Sequence, residues 1–419
     1  MFPYNNTGIL LYIDPGTGSM LFTILIGIIG TSIYSIKTLI MKLKQRISGG
    51  KSIENSDIIP LVIFSDDKRY WPVFEPICRE LDKREQNVVY MTCSEDDPAL
   101  NNPYPHIKAE FIGKQSKAFA RLNFLKATIV LSTTPGLDVY QWKRSKNVQH
   151  YVHIPHAAGE IALYKMFGLD YYDAILLCGD HQIQVIRDME AKRNLPPKEL
   201  VKVGVPYMDE MVLRLQQSPP VPPHPTTVLL APSWGLNSLF NTYGGDLIDK
   251  LLETGYHIII RPHPQSFTSE KELIQKLMQQ YPSSDQIEWN QDTNNFEVLR
   301  RSDIMISDFS GVMFDFALVY DKPVIYTNPH YDLSQYDAWW FDTPIWTFST
   351  LPRIGSELTN DNINKLKELI DSCLTDSHYS TERQIVRNEG WVHFGEGAQR
   401  TVDYLMNKYI ELTQIKEDR

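Results

Sequence analysis

From residue 60 onward the chain alternates between short apolar runs and stretches with helical spacing, and this alternation restricts the fold more than any other feature. Pro60–Phe64, Asn87–Met91, Ala127–Leu131, Val148–Ile154 and Ala174–Leu177 are each too short for a helix and read as strands. Trp71–Leu81 between the first two has helical spacing. The pattern resumes at Thr227–Leu230, His257–Ile260, Ile304–Ser307 and Pro323–Tyr326, with helices expected at 244–254, 269–280, 294–301, 311–320, 361–374 and 396–414. Strands that are apolar on both faces need cover on both, which a parallel sheet flanked by helices provides. Between the two series, Pro219, Pro220, Pro222, Pro223 and Pro225 forbid both a helix and a central strand. The expected fold is α/β, with two doubly wound Rossmann-like lobes over 58–205 and 227–395. A Pro-rich connection at 206–226 joins them, and a C-terminal helix occupies 396–419. Ligands of such sheets bind at the carboxyl ends of the strands, here in the cleft between lobes.

The amino-terminal region is different. Pro15 to Ile36 carries no charged residue, and Lys37, Lys42, Lys44, Arg46 and Lys51 follow at once. A helix needs roughly 20 apolar residues to cross a bilayer, and the basic cluster places its carboxyl side in the cytoplasm. A basic segment ahead of the run and a small-residue cleavage site are missing, which argues against a cleaved signal peptide. The expectation is an N-terminal membrane-anchor helix over 1–46, a polar linker over 47–57, and a catalytic body on the cytoplasmic side of the inner membrane. A helix lying in the interface or packed on a partner is the competing reading.

The net charge of −10, from 41 Lys+Arg against 51 Asp+Glu, is a poor basis for nucleic-acid binding, which needs a basic surface. An anionic small substrate remains open, given local cations or backbone amides. Cys78, Cys93, Cys178 and Cys373 form no Cys-x-x-Cys pair, so buried free thiols are expected, with neither a disulfide framework nor a cysteine zinc site.

Three segments can carry chemistry. In Ile304-Met-Ile-Ser-Asp-Phe-Ser-Gly311 a strand runs into a polar turn that opens an apolar helix. The free amides at that helix start suit a phosphate, with hydroxyls from Ser307 and Ser310, Asp308 in the turn, and close backbone approach at Gly311. A plain Ser/Asp helix cap is the alternative. Asp315 follows within the apolar helix. In Ile258-Ile-Ile-Arg-Pro-His-Pro264 a buried strand delivers Arg261 and His263 at its end, between two prolines that stiffen the loop. A fixed Arg–His pair suits a diphosphate, and a structural turn is the alternative. In His150-Tyr-Val-His-Ile-Pro-His156 the last histidine stands just past a strand, where a general base belongs. The spacing does not gather these histidines on one face of a strand, so no metal site is expected. Lys165 and Ser233 lie on loops within reach of a ligand in such a cleft.

Taken in order, His156, Lys165-Met-Phe-Gly168, Gly204-Val-Pro206, Ala231-Pro-Ser-Trp234, Arg261-Pro-His-Pro264 and Ser307-Asp-Phe-Ser-Gly-Val-Met-Phe-Asp-Phe316 resemble the CDP-glycerol glycerophosphotransferase family, the primases and polymerases of teichoic-acid synthesis. The resemblance covers most of 57–410. It implies a GT-B fold and transfer of phosphoglycerol, or a related phosphoalditol, from a CDP-activated donor to a hydroxyl of a lipid-linked cell-envelope glycan, releasing CMP. By the same resemblance His156 is the base toward the acceptor hydroxyl, and His263 with Arg261 stabilises the diphosphate. Ser307, Ser310 and Gly311 hold the donor phosphates, with Asp308 grouped beside them, and neither metal nor other cofactor is required; Lys165, Ser233 and Asp315 are candidate substrate contacts from their positions in the chain alone. Where the family has Trp-His-Gly-Thr around the first histidine, this chain has Pro155-His-Ala-Ala-Gly159, and Gly235 stands where an arginine is usual. A GT-B glycosyltransferase using a nucleotide-sugar, and a non-catalytic membrane-tethered assembly factor, are the competing functions.

Overall fold

The computed structural model describes residues 58–417 apart from Gln115, Glu160, Thr293, Phe309, 328–332 and 343–344. The expected anchor (1–46) and linker (47–57) lie outside the described residues. No helix among the described residues is long and apolar enough to cross a membrane.

The amino-terminal half builds one sheet from β1 (Ile59–Ser65), β2 (Val88–Thr92), β3 (Ile107–Phe111), β4 (Ala127–Ser132), β5 (Val148–His153), β6 (Ala174–Leu177) and β7 (Glu199–Lys202). Its spatial order is β3-β2-β1-β4-β5-β6-β7, and every neighbouring pair is parallel. The second sheet is built from β8 (Thr227–Ala231), β9 (His257–Ile260), β10 (Ile287–Trp289), β11 (Ile304–Ser307), β12 (Val324–Tyr326) and β13 (Gly355–Glu357). It repeats the logic as β10-β9-β8-β11-β12-β13, again all parallel. In both sheets the order reverses beside the first strand, between β1 and β4 and between β8 and β11. At such a switch point the outgoing loops diverge and leave a crevice for a ligand.

Strict alternation along each central strand feeds two cores. Val62 and Phe64 of β1 pack with Val130, Tyr151 and Ile175 on one face, while Leu61 and Ile63 pack with Phe74, Ile77 and Ile129 on the other. Leu229 and Ala231 of β8 join one core of the second lobe, and Val228 and Leu230 join its opposite core. Burial at roughly 25 cal/mol per Å² on both faces makes these strands the fixed frame of each lobe.

The connection between lobes differs from the expected irregular linker. Residues Pro206–Gln217 form a helix, started by Pro206 at the position where a missing N–H costs nothing, and only 218–226 is extended. The chain returns at 391–397, and Asp209 ties the two crossings together. Its carboxylate accepts from Trp391 Nε1 at 2.9 Å and from the backbone N–H groups of Gly395 and Gly397 at 2.7 and 2.8 Å. Gly204 lies so close that a Cβ there would meet the Val392 carbonyl at 2.3 Å, and its φ of +90° is one that glycine adopts freely. The C-terminal helix, Gly397–Glu417, packs back on the first lobe, with Val402 and Leu405 buried among Leu61, Ile77 and Leu81. Cys78, Cys93, Cys178 and Cys373 are free thiols.

Candidate functional site

The loop after β5 and the turn after β11 face each other across a cavity of about 280 Å³. His156, Ala157 and Tyr164 line it from the first lobe, and Ser310, Gly311 and Phe314 from the second. Pro155, itself buried, follows β5 after Ile154, and the half-buried His156 comes next in the cavity lining. The His156 ring lies 5.1 Å from the Tyr70 ring and 6.3 Å from that of Tyr164, centroid to centroid. Its Nδ1 is 3.4 Å from Thr133 Oγ1. Burial, reinforced by the Arg69 charge, pushes its basicity down to about 4, so the ring is neutral at pH 7 and has a lone pair available.

The turn after β11 divides its side chains between two tasks. Ser307 is fully buried, and its hydroxyl donates to the Ala231 carbonyl at 2.6 Å, tying β11 to β8. Asp308, also fully buried, accepts from the backbone N–H of Ser233 at 2.8 Å and of Leu239 at 2.8 Å. These two side chains are engaged with the loop after β8 and do not line the cavity. The reason is the switch point, where the β8 loop needs partners for its backbone donors. Ser310 and Gly311 remain to face the cavity. Ser233 takes part through its backbone N–H, while the neighbouring Trp234 ring is half-exposed, 6.4 Å from the His263 ring.

His263 and Arg261 sit at the end of β9. Gln265 N–H donates to His263 Nδ1 at 3.1 Å. An accepting Nδ1 leaves the ring proton of the neutral form on Nε2. Burial, with Arg69 adding to it and Glu270 opposing, holds this histidine below its ordinary range. Arg261 Nη1 donates to Asn290 Oδ1, and burial draws the guanidinium below its ordinary range against the pull of Asp292.

Asp315 is buried at the start of the π-helical segment Asp315–Val319. Its Oδ1 has no hydrogen-bond partner, and burial weakens it as an acid, pushing its pKa up to about 7. It therefore belongs to the helix interior behind the turn, near Tyr207 and Tyr320. Lys165 is exposed, and its backbone pairs antiparallel with Tyr336. No group of three His, Cys, Asp or Glu side chains placed to hold a metal ion occurs among the described residues.

That backbone pairing belongs to an interlobe clasp. Met166 N–H donates to the Gln335 carbonyl at 3.0 Å and Asp337 N–H to the Tyr164 carbonyl at 3.0 Å. Asp337 Oδ1 accepts from Phe167 N–H at 2.8 Å and pairs with Arg193, which also holds Asp170 at 2.6 Å. All three charged side chains are buried.

Sequence reasoning missed Arg69, Tyr70 and Thr133. The rule that ligands gather at strand ends points to them, because Ser65-Asp-Asp-Lys-Arg-Tyr70 leaves β1 at the switch point. That run has no histidine or glycine pattern to single it out.

The fold and sequence have relatives. The teichoic acid glycerol-phosphate primase of Bacillus spizizenii is 24% identical over 273 residues, covering 57% of this chain. The chain spans 63% of that relative's length. Among solved structures, the wall teichoic acid polymerase TagF soaked with CDPG superposes with a TM-score of 0.56 at 17% identity, over 92% of this chain and 98% of that one. A UDP-GlcNAc 2-epimerase from Neisseria meningitidis bound to UDP-GlcNAc superposes with a TM-score of 0.52 at 13% identity, over 84% of this chain and 100% of that one. Both likenesses fix the architecture as two facing Rossmann-like lobes. The sequence profile of the CDP-glycerol:poly(glycerophosphate) glycerophosphotransferases matches residues 169–407, more than half of the chain and all of its second lobe, so the chain belongs to that family.

Proposed function

We propose that this protein transfers phosphoglycerol, or a related phosphoalditol, from a CDP-activated donor to a hydroxyl of a lipid-linked envelope glycan. The observation that carries the reading is the cavity in which His156 of one lobe faces Ser310 and Gly311 of the other. Family membership supplies the reaction class.

In this reading the donor diphosphate lies along the second lobe. Ser310, the amides at Gly311 and the Nε2–H of His263 supply neutral donors, and Arg261 supplies a fixed charge. The acceptor alcohol enters from the first lobe. His156 Nε2 takes its proton, while its Nδ1 faces Thr133 Oγ1 at 3.4 Å. The alcohol oxygen forms a bond to the glycerol-bearing phosphorus. The bond from that phosphorus to the bridging oxygen breaks, and CMP leaves with the electron pair. A histidine held near pKa 4 is a weak base in the empty cleft. An incoming diphosphate adds negative charge beside it and offsets the Arg69 charge, raising its basicity toward the useful range. The uncharged stretch at 15–36 and its basic flank then hold the body at the cytoplasmic face of the membrane, where lipid-linked acceptors are concentrated. Removing residues 1–45 is expected to release the protein from membranes, read by sedimentation with vesicles. A truncated protein that still pellets in full would remove the anchor from this account.

The test of function is product analysis with CDP-glycerol and with nucleotide-sugars, using bacterial lipid extract as acceptor. Phosphoglycerol transfer releases CMP. Release of UDP or GDP from a sugar donor would place the protein among the glycosyltransferases.

A further inference from the structure

Arg69 is a cation to which the mechanism above gives no contact with the donor. It follows β1, at the switch point of the first sheet, in a short turn over Lys68–Tyr70. The backbone there is fixed, because Asp67 Oδ1 accepts from Arg69 N–H at 2.9 Å. The side chain is 63% exposed, with the Asp67 carboxylate 3.8 Å from its Nε. The guanidinium carbon lies 5.1 Å from the Tyr70 ring centroid, and that ring packs against His156. The loop leaving β1 at the switch point thus carries an arginine on the ring that packs against His156. Its charge reaches across the cleft as well. After burial, it is the next cause lowering the basicity of His156 in the first lobe and of His263 in the second. A cation near both histidines destabilises their protonated forms, a cost that makes chemical sense where an anion is to bind between them.

We infer that Arg69 is the first lobe's contact to the donor's distal phosphate, so that the diphosphate site is shared by both lobes. This inference rests on the nucleotide-diphosphate reading of the cleft. The second lobe alone holds the nucleoside monophosphate portion, and Arg69 adds a bidentate grip on the phosphate beyond it. Because the guanidinium belongs to the lobe that also carries His156, binding the distal phosphate draws the base and the phosphorus together.

The test compares CDP and CMP binding to the full chain by calorimetry, for wild type, Arg69→Gln and Arg69→Lys. The expected result is a loss of tenfold or more in CDP affinity for Arg69→Gln, less than threefold change for CMP, and partial recovery in Arg69→Lys. Equal CDP affinity in wild type and Arg69→Gln, or equal losses for CDP and CMP, would overturn the assignment of Arg69 while leaving the nucleotide reading in place. Failure of the wild type to bind either nucleotide would overturn both. Arg69 is exposed, so the variants are expected to unfold at the wild-type temperature, and the lysine variant separates charge from shape.

Discussion

His156 and His263 are kept neutral by the same two causes, burial first and Arg69 second, yet their nitrogens are prepared for opposite tasks. Gln265 occupies Nδ1 of His263 and makes Nε2 a donor. His156 has only a long contact from Nδ1 to Thr133, 3.4 Å, and can present Nε2 as an acceptor. Replacing either by alanine is expected to lower turnover by about 10²-fold or more, measured as CMP release. The serines divide similarly. Ser307→Ala removes a buried hydrogen bond to Ala231 and is expected to cost about 1–2 kcal/mol of stability, read from urea unfolding, whereas Ser310→Ala is expected to weaken donor binding with stability unchanged. Asp315 gives a pH-dependent signature. Its pKa stands raised from 3.8 to about 7 in the folded chain, so the native state binds more protons than the unfolded state between those values. Stability is therefore lost as pH rises through that window, by at most about 4 kcal/mol. Asp315→Asn is expected to gain stability over wild type progressively from pH 4 to pH 7 in denaturant titrations. A gain independent of pH would contradict the assignment of the shift to this carboxyl. The sequence names these residues as a group, through strand ends and turn chemistry. Which side chains turn inward to serve the β8 loop depends on long-range neighbours that local pattern does not encode.

At the scale of elements, the clasp over 333–341 fastens the second lobe to the first through a buried ion triad. Arg193 lies between the Phe167 and Trp340 rings, its guanidinium carbon 4.9 and 5.3 Å from their centroids, and it neutralises Asp337 and Asp170. Arg193→Ala removes the cation paired with the buried Asp337 carboxylate and is expected to cost about 3–5 kcal/mol, measured as a fall in the urea midpoint. No sequence pattern singles out Arg193, and its partner Asp337 is 144 positions away. The strands divide along the same line. β1, β4, β8 and β11 are apolar on both faces and read directly as strands. β3, β7, β10 and β13 escape the apolar-run criterion because they are short or half-exposed at or near the sheet edges. The helix Pro206–Gln217 is hidden by the prolines that follow it, which draw the apparent break forward from 218 to 206.

For the whole molecule, two sheets of the same strand order bring the loop after β5 and the turn after β11 to one cavity, so motifs far apart in sequence line the same space. The family and the architecture follow from the second lobe, where the motifs are dense and the profile match is complete. The proposed acceptor side lies on the first lobe, where Pro155-His-Ala-Ala-Gly159 stands in place of the Trp-His-Gly-Thr expected from the resemblance. The central claim is that this cavity breaks a CDP-alditol between its phosphates, with His156 as base and His263 as donor to the diphosphate. The most direct test is nucleotide release from CDP-glycerol in the presence of lipid acceptor, for wild type, His156→Ala and His263→Ala. The account predicts CMP from the wild type and its loss in both variants, with folding intact by thermal unfolding. CMP release undiminished in both folded variants, or release of a nucleoside diphosphate from a sugar donor alone, would contradict it.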